Sequence, residues 1–390
     1  MKIISENKVP IFSWCNDPED EAIEQASNLA NLPFVFKHIA LMPDTHAGAG
    51  MPIGGILATN GVIVPNAVGV DIGCGMLAKK TNLKVSEIPL EKLKEIMGLI
   101  RKEIPVGVGN IRKGNEIKIV EDLMLPSSLN KIISSEYNNA RASLGTLGSG
   151  NHFIEFQKDD EGYLWFMIHS GSRNLGHKVA VYYNDIANKM NRKYYSSVSE
   201  DKNLAFLPLN SAESNDYYHA MQYCVEYALR NRQAMERIIS LILINNFSSI
   251  IMEQSINIAH NYARIENHFG ENVVVHRKGA TSAKEGEIGI IPGSQGSKSY
   301  IVRGKGNPKS FMSCSHGAGR KMSRTKAKKE LNLAEEIKRM DDLGIIHGMR
   351  NVSDLDEAAS AYKDIDIVMD EQKDLVDIIT ELTPIAVIKG

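Results

Sequence analysis

Short apolar runs that stop at glycine, proline or asparagine recur along this chain, and they alternate with much longer stretches of helical period. That alternation constrains the fold more than any other feature. A short run between turn formers reads as a strand. A long run with apolar residues at three- and four-residue steps reads as an amphipathic helix. Strands are predicted over residues 38–42, 53–58, 62–64, 68–78, 163–168, 272–276, 287–292, 299–303 and 385–388. Asp17-Pro18-Glu19-Asp20 opens a helix to about residue 32, with Asp17 as N-cap, Pro18 in the first turn and acids at the positive dipole end. Further helices are predicted over residues 89–103, 127–144, 175–194, 216–246, 248–268, 325–343 and 369–380. No repeat, low-complexity tract or clear linker divides the chain. The pattern predicts an α/β fold, sheets layered with long helices, in a single compact domain over residues 1–390.

Composition bounds the class. With 390 residues, 43% of them hydrophobic, the chain can bury a large core. Its four cysteines, Cys15, Cys74, Cys224 and Cys314, are scattered and unpaired in sequence, which predicts a reducing cytosol. The start MKIISENKVP lacks an apolar targeting segment, and no apolar run approaches the ~20 residues of a membrane span. A formal net charge of −2 argues against indiscriminate coating of nucleic acid and leaves room for a local basic groove.

Several glycine-rich loops carry side chains that do chemistry. Residues 311–320 read FMSCSHGAGR, where His316 stands among residues too small to pack a core. Such a loop exposes an imidazole and brings backbone N–H groups close to an anion. An imidazole facing a phosphate is a general acid/base or a nucleophile. Asp71 and Cys74 lie in VGVDIGCGM, His152 in GSGNHFIE, His169 in MIHSGSR and His260 in INIAHNYA. Carboxylate, thiolate and imidazole bind transition metals, and ligands arriving singly from distant loops suit a catalytic site with open positions. Spacing does not choose between zinc and a two-metal manganese site.

Taken singly, each of these residues has a plainer explanation. His169 reads as a semi-buried strand end, His260 as a helix residue, Cys74 as a small core side chain and Asp71 as a turn former. His38, His177, His219, His268, His276 and His347 lack a small-residue setting and are read as structural, with His46 intermediate. The joint pattern is what points to a site. Residues 292–299, PGSQGSKS, form a small hydroxyl-rich loop with one cation, Lys298, and match neither a Walker A nor a Rossmann spacing. Arg320, Lys321, Arg324, Lys326, Lys328 and Lys329 crowd the segment after His316, and Arg173 ends HSGSR. These are candidates for RNA phosphate.

MPDTHAGAG, AVGVDIGCGM, LGSGNHFIE, HSGSR, HRKGATSA, PGSQG, SCSHGAGR and YKDIDIVM, with the terminal Lys389-Gly390, resemble the RtcB family of RNA ligases. The resemblance runs from about residue 38 to the end. It implies a fold particular to that family and a ligase that uses GTP and two Mn²⁺ ions to join an RNA 3′-phosphate or 2′,3′-cyclic phosphate to a 5′-hydroxyl. It implies Asp71, Cys74, His152, His169 and His260 as metal ligands and His316 as the residue that takes the guanylyl group. It places Asn151, His152, Phe153, Ile154, Glu155, His260, Asn261, Pro292, Gly293, Ser294, Gln295, Ser299, Gly317, Ala318, Gly319 and Lys389 around the nucleotide. RNA repair or tRNA splicing follows as the role, with an activating protein left open. A metal-dependent RNA-end phosphoesterase or a GTP-binding RNA protein without turnover would use the same residue types. One departure stands out: family members often carry a lysine in the loop where this chain has Ala49.

Overall fold

A computed structural model describes residues 1–390. Two large sheets carry the site between them. The first has six strands in the spatial order Lys2–Ile4, Ile11–Ser13, Val35–His46, Ile53–Thr59, Glu271–Lys278 and Asn261–His268. Only the pairing of Ile11–Ser13 with Val35–His46 is parallel. The second has seven antiparallel strands in the order Ile256–Ala259, Gly75–Lys84, Tyr163–Ser170, Phe153–Asp159, Val376–Lys389, Ser299–Gly304 and Ile288–Ile291. The helix Ala212–Asn246 packs against the second sheet over the strands Gly75–Lys84, Ile256–Ala259 and Tyr163–Ser170. With the helices Leu90–Glu103, Lys131–Ser143 and Arg173–Lys193 it closes the largest core. No helix is long and apolar enough to cross a membrane.

The α/β layering matches the expectation; several elements do not. Residues 248–268 are not a helix but two strands, Ile256–Ala259 in the seven-stranded sheet and Asn261–His268 in the six-stranded one. Residue 260 is thus the crossover between the sheets, because pairing on both sides outweighs any local helical preference. Residues 68–74 are loop, and the strand begins only at Gly75. The expected helix over 325–343 is two, Arg324–Glu330 and Leu333–Asp342. The expected helix over 369–380 ends early: Ile365–Glu371 is helical, and the chain then enters the long strand Val376–Lys389. The first helix begins at Asp20 with Glu19, not Asp17, at the N-cap.

Candidate functional site

Cys74, His152 and His169 converge at the ends of neighbouring strands. Cys74 immediately precedes the strand Gly75–Lys84, His169 is the penultimate residue of Tyr163–Ser170, and His152 directly precedes Phe153–Asp159. Their ligating atoms lie within 4.8 Å of one another. The Cys74 Sγ sits 3.5 Å from Nε2 of His152 and 3.3 Å from Nε2 of His169. Each imidazole is aimed by its other nitrogen: Nδ1–H of His152 donates to the Leu147 carbonyl at 3.0 Å, and that of His169 to the Asn151 carbonyl at 3.0 Å. That fixes the Nε2 lone pairs toward the thiol, as metal-ligating histidines require. Asp71 joins through Oδ2, 3.1 Å from His152 Nε2. His260, at the crossover, stacks edge-on to His169 with centroids 5.2 Å apart. Its buried Nδ1 has no hydrogen-bond partner.

Two glycines show how tightly the backbone is drawn in. A Cβ on Gly75 would stand 2.0 Å from the Ile258 carbonyl oxygen, and one on Gly171 would stand 2.4 Å from the Asp71 carboxylate. Burial pushes the Cys74 thiol well above its ordinary value, and the neighbouring Asp71 carboxylate adds to the rise. For Asp71, burial acts to raise the pKa, and the neighbouring His152, Cys74 and Arg173 together outweigh it, leaving the carboxyl below its ordinary value. Cys74, His152 and His169, each at most 5% exposed, are soft-to-borderline donors grouped as a metal ion would need, with the partly exposed Asp71 carboxylate beside them.

His316 lies one imidazole further along, its centroid 4.8 Å from that of His260. Its partner is Asp44, a fully buried carboxylate. Asp44 Oδ2 accepts from Nδ1 of His316 at 2.6 Å, from its backbone N–H at 3.0 Å and from the Gly317 N–H at 3.3 Å. Burial works to raise the Asp44 pKa, and His316 overcomes it, so the carboxyl stays below its ordinary value. With Nδ1–H engaged, Nε2 of His316 is left with its lone pair. Asp44 stands inside MPDTHAGAG but was not among the expected site residues; His46 was the residue weighed there.

His316 opens onto a cavity of about 750 Å³. Asn151, Phe153, Glu155, Pro292, Gly293, Ser294, Gln295, Gly317, Ala318, Gly319 and Lys389 line it, and so do His46, Arg320 and Arg324. Burial pushes the Glu155 carboxyl up to about 8 and the Lys389 ammonium down to about 8. Glu357 and Tyr362, neither of them expected, share the wall. Glu357 is 2% exposed and gathers Arg324 at 2.7 Å, Arg320 at 3.3 Å and Lys389 at 4.0 Å.

Several expected contacts take other roles. Ile154 is fully buried in the core and turns its side chain away from the cavity. Ser299 lies behind the wall, its Oγ accepting from the Gly293 N–H at 3.2 Å. Asn261 braces backbone: its Nδ2 donates to the Asp71 carbonyl at 3.0 Å and its Oδ1 accepts from the Gly279 N–H at 2.7 Å. Arg173 lies on the metal side, its Nη1 3.4 Å from Nδ1 of His152 and its Nε 3.2 Å from Thr146 Oγ1. The one cation of the 292–299 loop points away, since Lys298 pairs with Glu381 at 2.5 Å. Beside Ala49 a lysine does stand: Lys278 Nζ donates to the Ala49 carbonyl at 2.6 Å.

A family model described as tRNA-splicing ligase RtcB matches residues 25–125 and 121–390. The RNA-splicing ligase RtcB of Escherichia coli (strain K12) is 38% identical over 411 aligned positions, covering 100% of this chain and 99% of that protein. The tRNA-splicing ligase RtcB of Nanoarchaeum equitans is 34% identical, covering 98% of this chain and 95% of its own. An RNA-splicing ligase RtcB homolog of Entamoeba dispar is 33% identical over 94% of this chain and 82% of its own.

Proposed function

This chain belongs to the RtcB family and is an RNA ligase, and we propose that it joins an RNA 3′-phosphate or 2′,3′-cyclic phosphate to a 5′-hydroxyl through a guanylyl group carried on His316. The observation that carries this reading is the Asp44–His316 contact at 2.6 Å at the wall of a nucleotide-sized cavity. Nε2 attacks the α-phosphorus of GTP, a P–N bond forms, and pyrophosphate leaves with the electrons of the broken P–O bond. Asp44 keeps Nδ1–H and balances the imidazolium charge. An oxygen of the RNA 3′-phosphate then takes the guanylyl group and restores the neutral imidazole. The 5′-hydroxyl attacks the activated 3′-phosphate, and GMP leaves. A cyclic phosphate is opened to the 3′-phosphate first.

Asp71, Cys74, His152, His169 and His260 would hold the metal, and the orphaned Nδ1 of buried His260 together with the Cys74–His152–His169 convergence fits that assignment. A divalent cation there neutralises phosphate charge that would repel an incoming oxyanion. A thiolate ligand favours manganese over magnesium. With both brought to about 8, Glu155 and Lys389 are mostly protonated at neutral pH, and each offers a hydrogen-bond donor to the edge of a base. All 390 residues act as one domain, in repair of cleaved RNA or in tRNA splicing.

Incubation with α-labelled GTP and manganese tests the reading. The parent is expected to form an acid-labile, base-stable protein-linked label, and His316→Ala none. His316→Ala should keep its metal and still seal a prepared RNA carrying 3′-diphosphoguanosine to a 5′-hydroxyl end. An adduct that persists in His316→Ala moves the nucleophile elsewhere. A parent that never forms one supports a metal-dependent phosphoesterase instead.

A further inference from the structure

Outside the cavity described above, one hollow combines free cations with unsatisfied backbone donors. It has a volume of about 520 Å³ and lies between the C-terminal end of the helix Leu90–Glu103 and the segment 105–119. Arg101, Lys102 and Lys113 line it, all exposed and none engaged in an ion pair. Arg112, 3% exposed, lies beneath them. Its Nε donates to the Leu144 carbonyl at 3.0 Å, and its Nη2 to the carbonyls of Gly145 at 2.7 Å and Glu103 at 3.2 Å. No carboxylate neutralises that buried guanidinium at contact distance. The two acids in the lining, Glu103 and Glu116, do not balance the four cations.

The loop over the hollow is built for an anion. Gly107 and Gly109 take φ of +100° and +72°, left-handed backbone that glycine adopts without strain. The N–H groups of Val108, Gly109, Asn110 and Ile111 donate to no protein acceptor. Val108 is 86% exposed and a Cβ on Gly109 would meet nothing, so a ligand can approach. The same loop is joined to the catalytic segment. Gly107 N–H donates to the Gly148 carbonyl at 2.8 Å, and Leu147 N–H to the Pro105 carbonyl at 3.0 Å. The Leu147 carbonyl in turn accepts from Nδ1 of His152. The hollow therefore adjoins the segment that carries the metal ligand and Asn151.

We propose that the loop over residues 107–113, with Arg101, Lys102 and Lys113, binds a phosphodiester of the RNA strand several nucleotides from the end being joined. Unpaired N–H groups and cations recognise phosphate oxygens without reading a base, which is the chemistry a ligase needs along a strand of arbitrary sequence. Continuity with Gly148 selects the strand already engaged at the catalytic site over a separate nucleotide or a free phosphate. The proposal rests on the RNA-ligase reading, and its test keeps the two apart.

The full chain and its Arg101→Ala/Lys102→Ala/Lys113→Ala variant are compared for binding of 3′-phosphorylated RNA by fluorescence anisotropy, which needs no turnover. An RNA of about 20 nucleotides should bind the variant about tenfold more weakly. The slope of log affinity against log salt should fall by about 0.7, the contribution of one single-strand phosphate contact. An RNA of about 4 nucleotides, shorter than the span, should bind both proteins alike. The protein-linked label from GTP should be equal in both. Unchanged long-RNA affinity and slope would overturn the site. So would an equal loss on both RNAs, which would mean that the loop acts only by supporting His152. Loss of GTP or inorganic phosphate binding with RNA binding intact would assign the hollow to a small anion and overturn the strand. Absence of the label in the parent sinks the ligase reading while leaving the binding result interpretable.

Discussion

Asp44 is wholly buried and spends one oxygen on three donors, two from His316 and one from Gly317. A buried carboxylate is tolerated only when it is so engaged, and here the engagement also fixes which imidazole nitrogen is free. Asp44→Asn keeps the size and removes the charge. The amide oxygen still accepts from the two backbone N–H groups and from Nδ1, so the ring stays in place but loses the negative charge that offsets the imidazolium formed on attack. The expected result is a fall in the rate of protein guanylylation of about 10²–10⁴, with metal content unchanged. A loss below about threefold would show that Asp44 only holds the loop. Single residues were largely legible in the sequence where the chain around them had no other use. His316, Cys74 and His169 stand in runs too small or polar to pack, and the fold brings them together. Asp44 was missed because its partner is 272 residues away, and nothing in MPDTHAGAG says which of its polar side chains faces inward. Glu357 was missed for the same reason, since its charge is used by Arg320 and Arg324 from another segment.

At the scale of elements, the crossover at His260 does the positioning. Ile256–Ala259 pairs with Gly75–Ala78, and the chain then passes directly into Asn261–His268 in the other sheet. His260 N–H donates to the Cys74 carbonyl at 2.8 Å, so imidazole and thiol are tied through the backbone as well. Periodicity misread residues 248–268 as helical because alternating apolar residues over so short a run also meet a three- or four-residue step, and pairing partners are invisible locally. The C-terminal strand failed similarly: Ile378 and Ile379 are exposed, so the alternation that marks a half-buried strand is missing there. Elements whose own apolar stripe is buried, such as Leu90–Glu103 and Ala212–Asn246, were read nearly to their ends. The crossover predicts a sharp sensitivity at Gly75. With only 2.0 Å to the Ile258 oxygen, Gly75→Ala must push the strand Ile256–Ala259 away from Cys74. We expect bound metal to be lost and the melting temperature to fall by several degrees, read by metal analysis and calorimetry. Retention of full metal content would mean that His260 does not depend on this close approach.

At the scale of the molecule, the candidate metal ligands lie where the sheets meet. Cys74, His152 and His169 come from the seven-stranded sheet and its loops, and His260 from the junction with the six-stranded one. All four are at most 5% exposed, which places several polar groups in a nearly dry seam. Such a seam is under-satisfied without a cation, as the partnerless Nδ1 of His260 shows. A cation bound there should therefore stabilise the whole fold, not the loops alone. Ligand at about a hundredfold its Kd contributes about 2.7 kcal/mol. At about 2 cal/mol/K of unfolding entropy per residue, a chain of 390 residues should melt about 3 °C higher. Manganese is expected to give that rise in the metal-free protein, and magnesium at the same concentration far less, because binding must strip the proton from a thiol that burial holds on. Cys74→Ala should abolish the manganese shift while His316→Ala preserves it, which separates the ligand set from the nucleophile without any measurement of ligation. Equal shifts from both metals would remove the thiolate from the site, and a manganese shift that survives Cys74→Ala would place the ion elsewhere in the molecule.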